Sequence, residues 1–225
     1  MHFADVVTRI EAALSGPLPG AAAHALMAPR PRRDWPPGFR AEHARRAAGL
    51  LLMIPIVHRP HIVLTVRAHT LDRHGGQVSL PGGVIEPDET AEQAALREAH
   101  EEIGLSIPAV RSLGALTPID IPVSGFRLYP IVAIAAERPD LRPSDGEVAQ
   151  ILEPSLDELM DPGRIAWRTL TQEAPTLEFP AFVASDVEIW GATAMVVAEF
   201  LALLGWKGPL SSPRFENCAD PARDM

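Results

Sequence analysis

The chain has one cysteine, Cys218, among 225 residues. An internal disulfide is therefore excluded, and a reducing compartment such as the cytoplasm is expected. Cys218 falls in what reads as a tail, a poor place for a catalytic thiol. Long apolar runs are also missing. The longest, residues 47–57, is too short to span a bilayer, so no membrane partner is expected. Asp5 and Glu11 interrupt the first stretch, which argues against a secretory leader, and the final Ala222-Arg-Asp-Met225 is not a peroxisomal address. Positive charge is in deficit: 20 Lys and Arg against 29 Asp and Glu give a net charge of −9. That balance disfavours non-specific binding to nucleic-acid backbones. The acidic residues are dispersed, and no internal repeat is found.

Hydrophobic residues make up 47% of the chain, enough for a full core, and the length suits one domain with appendages. Phe3, Val6, Val7, Ile10 and Leu14 recur at helical spacing and predict an amphipathic helix over 2–15. That helix could pack on a neighbouring subunit, giving a homodimer, or fold back on its own chain. Residues 16–46, rich in Pro, Gly, Ala and Arg, read as an extended arm with little structure of its own. Arg40, Arg45 and Arg46 could touch an anion, although a solvated arm is the simpler reading. Domain limits are expected at 1–45 for helix and arm, 46–206 for the main domain and 207–225 for a loose tail.

Within the main domain, 47–57 reads as a buried strand and 61–67 as a second. A short strand over 77–80 is broken by Pro81-Gly-Gly83. Further strands are expected at 110–120, 126–136, 146–152 and 164–170, with an edge strand near 179–184. Thr90 with Gln93 has the form of a capping box, and Gly104 sits where a helix C-cap glycine belongs, so a helix is predicted over 90–103. A second long helix is expected over 189–205. The order is mixed α/β.

The helix over 90–103 carries the chemistry. Leu96, Ala99 and Ile103 share one face, while Glu98, Glu101 and Glu102 share the opposite one at i, i+3 and i+4. Like charges at those spacings repel and call for a cation. Ala91, Ala94 and Ala95 border the acidic face and look small enough to admit a ligand. Clustered carboxylate oxygens suit Mg²⁺ or Mn²⁺ shared with substrate phosphates, and the carbonyls of Gly82-Gly83 could contribute. Arg97 can be claimed by Glu101 or by Glu89.

From Gly83 through Glu89, Arg97-Glu98, Glu101-Glu102 and Gly104-Leu105, every fixed position of the Nudix box is filled, and the chain resembles that family. The resemblance implies a Nudix-type α/β/α sandwich around a mixed β-sheet. It also implies metal-dependent hydrolysis of a small-molecule nucleoside diphosphate derivative. Carried over, Glu98 and Glu102 are the main metal ligands, Glu101 is a further ligand or positions water, and Arg97 with Glu89 forms a supporting ion pair. The general base stays open between Glu101, Asp145 and Glu147.

The segment upstream, from Leu64-Thr-Val-Arg67 through Arg73-His74 and Gly76-Gln77-Val78 to Gly83, resembles the motif that precedes the box in coenzyme A pyrophosphatases. Asp72 and Leu80 depart from it, standing where that group commonly has a basic residue and Phe. Ile189-Trp190-Gly191-Ala-Thr193 resembles the start of that group's C-terminal helix. On this resemblance Arg67, Arg73, His74 and Gln77 contact substrate, and the products are adenosine 3′,5′-bisphosphate and 4′-phosphopantetheine. His100 reads as a spectator. The competing readings are a Nudix enzyme for ADP-ribose, NADH or a nucleoside triphosphate, and a catalytically silent nucleotide-binding module.

Overall fold

A computed structural model describes residues 1–68, 77–144, 146–171, 176–184 and 186–209. Asp72, Arg73, His74, Asp145 and Cys218 lie outside the described residues. The elements are α1 Phe3–Leu14, α2 Gly20–Met27, β1 Arg45–Ile56, β2 Arg59–Ile62, β3 Leu64–Arg67, β4 Val78–Ser79, β5 Gly82–Val84, α3 Ala91–Ile103, β6 Val110–Ala115, β7 Ile119–Ile121, β8 Phe126–Ala135, β9 Val148–Leu152, α4 Leu156–Leu159, β10 Ile165–Leu170, β11 Leu177–Ala184, β12 Val187–Ile189 and α5 Gly191–Leu203.

The central sheet runs β2-β1-β8-β6, with β5 also on β1 and β7 also on β8. β1 and β8 are parallel and the other pairs antiparallel, so the sheet is mixed. Alternate residues of β1 enter two different cores. Ala48, Leu50, Leu52 and Ile54 pack with Ala94, Ala95, Ala99 and Ile103 of α3. Leu51 and Met53 join Val6 and Ile10 of α1 and Val196, Val197 and Phe200 of α5. A strand covered on both faces has no polar side to show, which accounts for the unbroken apolar run in the sequence. The result is an α/β/α sandwich, and α1 folds back onto its own chain. Among the described residues no helix is long and apolar enough to cross a membrane.

Three local readings change. The segment read as one strand over 61–67 divides at Val63: β2 pairs with β1, whereas β3 joins the separate sheet β4-β3-β9. The chain stays extended through the crossing, so side-chain alternation carries no sign of it. Gly82–Val84, read as a break, is a short strand on β1. The strand expected at an edge is the centre of β10-β11-β12. Pro180, opposite Trp167, lies within this central strand although proline cannot donate to a ladder.

The arm is also corrected. Residues 20–27 form a helix that buries Ala23, His24 and Met27, and Arg30 exchanges backbone hydrogen bonds with Glu178 at 2.7 and 2.9 Å. An Ala-rich helix shows little apolar periodicity, and its anchor is polar. Glu199 of α5, with no solvent exposure, accepts from His24 Nε2 at 2.8 Å, Gly20 N–H at 3.0 Å and Thr117 Oγ1 at 2.6 Å. Burial alone would raise the Glu199 pKa, but hydrogen bonds from His24 and Thr117 hold it below its ordinary value.

Glu199→Ala is expected to cost roughly 3–5 kcal/mol, because it leaves buried donors without their acceptor; the shift in urea midpoint measures this. A depressed carboxylate pKa stabilises above the unfolded value and loses that effect as pH falls through the folded value. The gap between wild type and variant should therefore shrink in acid.

Candidate active site

The position of α3 follows from its two ends. Thr90 Oγ1 accepts from Gln93 N–H at 3.2 Å, and Gln93 Oε1 accepts from Thr90 N–H at 2.9 Å, the capping box read from sequence. Gly104 ends the helix at φ 67°, a left-handed conformation that glycine adopts without strain. His100 Nδ1 lies 2.9 Å from the Leu105 carbonyl, so this side chain closes the helix end and leaves the acidic face.

Ala94 and Ala95, expected to admit a ligand, have a different use, which they share with Ala99 of the apolar face. They are buried against the sheet and make no opening for a ligand. Small residues let α3 approach the sheet closely, and this brings Glu98 and Glu102 down onto β5. A Cβ on Gly83 would lie 2.3–2.6 Å from the Glu98 carboxyl atoms. A Cβ on Gly82 would lie 2.2 Å from the Ala48 carbonyl oxygen. The approach to β1 requires Gly82, while Gly83 leaves room for the Glu98 carboxylate. Gly82 also donates its N–H to Glu102 Oε2 at 3.1 Å.

Arg97 joins the remaining carboxylates. Its Nε and Nη2 grip the two oxygens of Glu89 at 2.9 and 3.0 Å, and Nη2 also donates to the Val84 carbonyl at 3.1 Å. Nη1 reaches Glu98 Oε1 at 2.9 Å and Glu101 Oε2 at 3.3 Å. The Arg97 hydrogen bond holds the Glu89 pKa below its ordinary value, and Glu89 in turn raises that of Arg97. Glu89, Arg97, Glu98 and Glu101 are therefore brought together. The Val84 carbonyl belongs to the same cluster and left no mark in the sequence, since backbone groups carry no residue code.

Glu102 is 6% exposed. Burial pushes its pKa up to about 7; the Gly82 N–H and the charge of Arg67 oppose the rise, while Glu98 and Glu147 add to it. Glu102 thus feels the charges of both Arg67 and Glu147. The pairing of Arg67 with Val148 explains how the charge of Glu147 reaches it from a distant loop. Gln77 flanks Arg67, accepting its N–H at 3.0 Å through the backbone carbonyl.

Among the described residues no three His, Cys, Asp or Glu side chains already converge as a metal cage. Arg97 Nη1 bridges Glu98 and Glu101 instead. The donor set still fits a hard divalent cation. It is all carboxylate oxygen, and it includes a buried glutamate whose raised pKa shows that its charge is poorly compensated.

Two outcomes follow from this geometry. Gly83→Ala should displace the Glu98 carboxylate, weakening Mn²⁺ binding by about tenfold or more while the fold persists; titration calorimetry with a parallel thermal melt reads both. For Glu102, a pKa raised above the unfolded 4.5 means stability fully present below that value and lost as pH rises through about 7. In EDTA, Glu102→Gln should therefore melt progressively higher than wild type between pH 5 and 8, by up to about 3 kcal/mol.

Comparison with known proteins places these residues in a lineage. The NUDIX domain model matches residues 44–173. The chain is 40% identical over 124 residues to the Nudix hydrolase NudL of Pectobacterium atrosepticum, covering 55% of this chain and 64% of that protein, just under two thirds of the relative's length. It is 34% identical over 159 residues to NudL of Cronobacter sakazakii, covering 69% and 82% respectively. Both relatives are described as uncharacterized. A solved Nudix hydrolase from M. smegmatis, RenU, aligns with a TM-score of 0.50 at 23% identity over 75% of this chain and 90% of that one, a likeness of fold alone. With the matched domain running from β1 through β10 and the capped, glutamate-bearing helix inside it, the chain belongs to the Nudix family of hydrolases, which act on pyrophosphate bonds.

Proposed function

We propose that the chain hydrolyses the pyrophosphate bond of coenzyme A or its thioesters, giving adenosine 3′,5′-bisphosphate and 4′-phosphopantetheine. One observation carries this reading. The segment from Leu64 to Gly83, which resembles the coenzyme A pyrophosphatase motif, puts the charge of Arg67 and the N–H of Gly82 on the buried Glu102. This supports reading the substrate motif and the glutamate cluster as one site.

Glu98, Glu101 and Glu102 would hold Mg²⁺ or Mn²⁺, which when bound neutralises phosphate charge and makes water more acidic. Arg67 binds a phosphate oxygen, and Gln77, Arg73 and His74 are assigned to the same substrate side. The Arg97–Glu89 pair keeps Glu98 at its place over Gly83. A water oxygen bonds to one phosphorus, the bridging P–O bond breaks, and its electron pair leaves with the other phosphate. The water proton passes to a carboxylate, for which Glu101, Asp145 and Glu147 are the candidates.

A substrate panel with Mg²⁺ tests the reading: free and acylated coenzyme A, ADP-ribose, NADH and a nucleoside triphosphate, followed by product identification. Coenzyme A should be cleaved with the highest kcat/KM, and far faster turnover of ADP-ribose would overturn the assignment. Glu102→Gln should lower kcat by at least about 100-fold, beyond the loss typical of a residue that merely supports a ligand; full turnover would sink the metal-site assignment. Glu101→Gln, Asp145→Asn and Glu147→Gln compared side by side identify the base, whose loss should cost about 10²–10⁴ in kcat.

A further inference from the structure

α3 covers only part of its side of the central sheet. On that side Gly83 pairs with Ala48, and Ala48 with Tyr129, in one row across β5, β1 and β8. The Glu98 carboxylate sits over the first member of the row. In the next row, toward the start of β1, Arg46 pairs with Arg127 and Arg127 with Asp120 of β7. Residues two apart on a strand share a face, so Arg46, Arg127, Asp120 and Tyr129 extend the surface that begins at Gly83. With strands about 4.8 Å apart, Tyr129 lies about 10 Å across the sheet from Gly83.

The chemistry of this shelf differs from that of the glutamates beside it. The Arg46 guanidinium lies over the Tyr129 ring, 5.2 Å from its centroid. Among the described residues it has no carboxylate partner, which leaves it able to meet an anion. Arg127, two residues from Tyr129 on the same face of β8, is held by both oxygens of Asp120 at 2.6 and 3.0 Å. Tyr129 is half-buried and is the chain's single tyrosine. The outer wall comes from the arm. Arg127, and to a lesser degree Trp35 and Arg32 of the arm, hold the Asp120 carboxyl below its ordinary pKa, and Trp35 stacks on Phe39 with ring centroids 4.7 Å apart. Residues 32–39 precede the matched domain at 44–173, so this wall is not part of that domain.

An aromatic ring, a guanidinium with no carboxylate partner among the described residues and glutamates on the same face of the sheet suit a nucleotide: the base stacks on the ring, the arginine exchanges its ring contact for a phosphate, and the anhydride reaches the carboxylates. We propose that this shelf seats the nucleoside half of the substrate, with the base on Tyr129, its phosphate on Arg46, and Trp35 of the arm as the wall. The inference rests on the pyrophosphohydrolase reading of the glutamate site, but not on the pantetheine half of coenzyme A.

Calorimetric titration of AMP, adenosine 3′,5′-bisphosphate and base-free ribose 5-phosphate into the full chain tests it. Wild type should bind both adenine nucleotides at least about tenfold more tightly than ribose 5-phosphate. Tyr129→Leu and Trp35→Leu should erase that preference, Arg46→Gln should weaken all three probes, and Tyr129→Phe should retain wild-type affinity. Arg46 is exposed, so its variant remains informative if a ring substitution lowers the melting temperature. Equal affinity for AMP and ribose 5-phosphate in wild type, or unchanged AMP affinity in Tyr129→Leu and Arg46→Gln, overturns the proposal. If coenzyme A is hydrolysed with unaltered KM in those two variants, the shelf fails and the coenzyme A reading stands. If adenine binding follows the shelf residues while coenzyme A is not turned over, the reverse holds.

Discussion

The site depends on one guanidinium. Arg97 spends its planar fork on Glu89 and the Val84 carbonyl and its remaining nitrogen on Glu98 and Glu101. It therefore fastens the connection after β5 to the helix that follows it. It also supplies the positive charge that an i, i+3, i+4 set of glutamates needs in order to remain helical. Lysine, with a single ammonium, has neither the planarity nor the number of donors to do both. Close packing by Ala94, Ala95 and Ala99 sets how near α3 lies to the sheet, and Arg97 sets how the acidic side chains are arranged once it is there.

The fold and the site were legible to different depths. α3 and its two ends could be read almost to the residue, because capping is local: Thr90, Gln93 and Gly104 state their roles within one or two turns. β1 was visible because covering both faces leaves a continuous apolar run. The crossing at Val63 was not visible, since an extended chain can leave one sheet for another without changing its alternation. α2 was hidden for another reason. Its anchor, Glu199, is 175 residues from His24, and such a distance has no expression in periodicity. Glu147 was nameable as a candidate base, yet its approach to Glu102 depends on β9 pairing with β3. The place of Tyr129 on the same face as Gly83 depends on its register with Ala48, which the sequence does not express.

Two buried glutamates show how context decides what a charge does. Glu199 is enclosed and satisfied: donors from two segments reach its oxygens and hold its pKa down. Glu102 is nearly as enclosed but has one backbone donor, with two carboxylates acting against it. The first is a fastening that gains from being dry. The second is costly in isolation, and a fold retains such a group where something arriving from outside completes it.

The position of the Glu199 fastening has an evolutionary consequence. His24 and Gly20 precede the matched domain and Glu199 follows it. The two flanks are therefore expected to vary together: loss of His24 leaves the Glu199 carboxylate without a buried partner, and loss of Glu199 does the same to His24. Relatives that keep only the central domain should have replaced both partners together, so that the paired identities at 24 and 199 record which ancestors already had the arm wrapped around the sandwich.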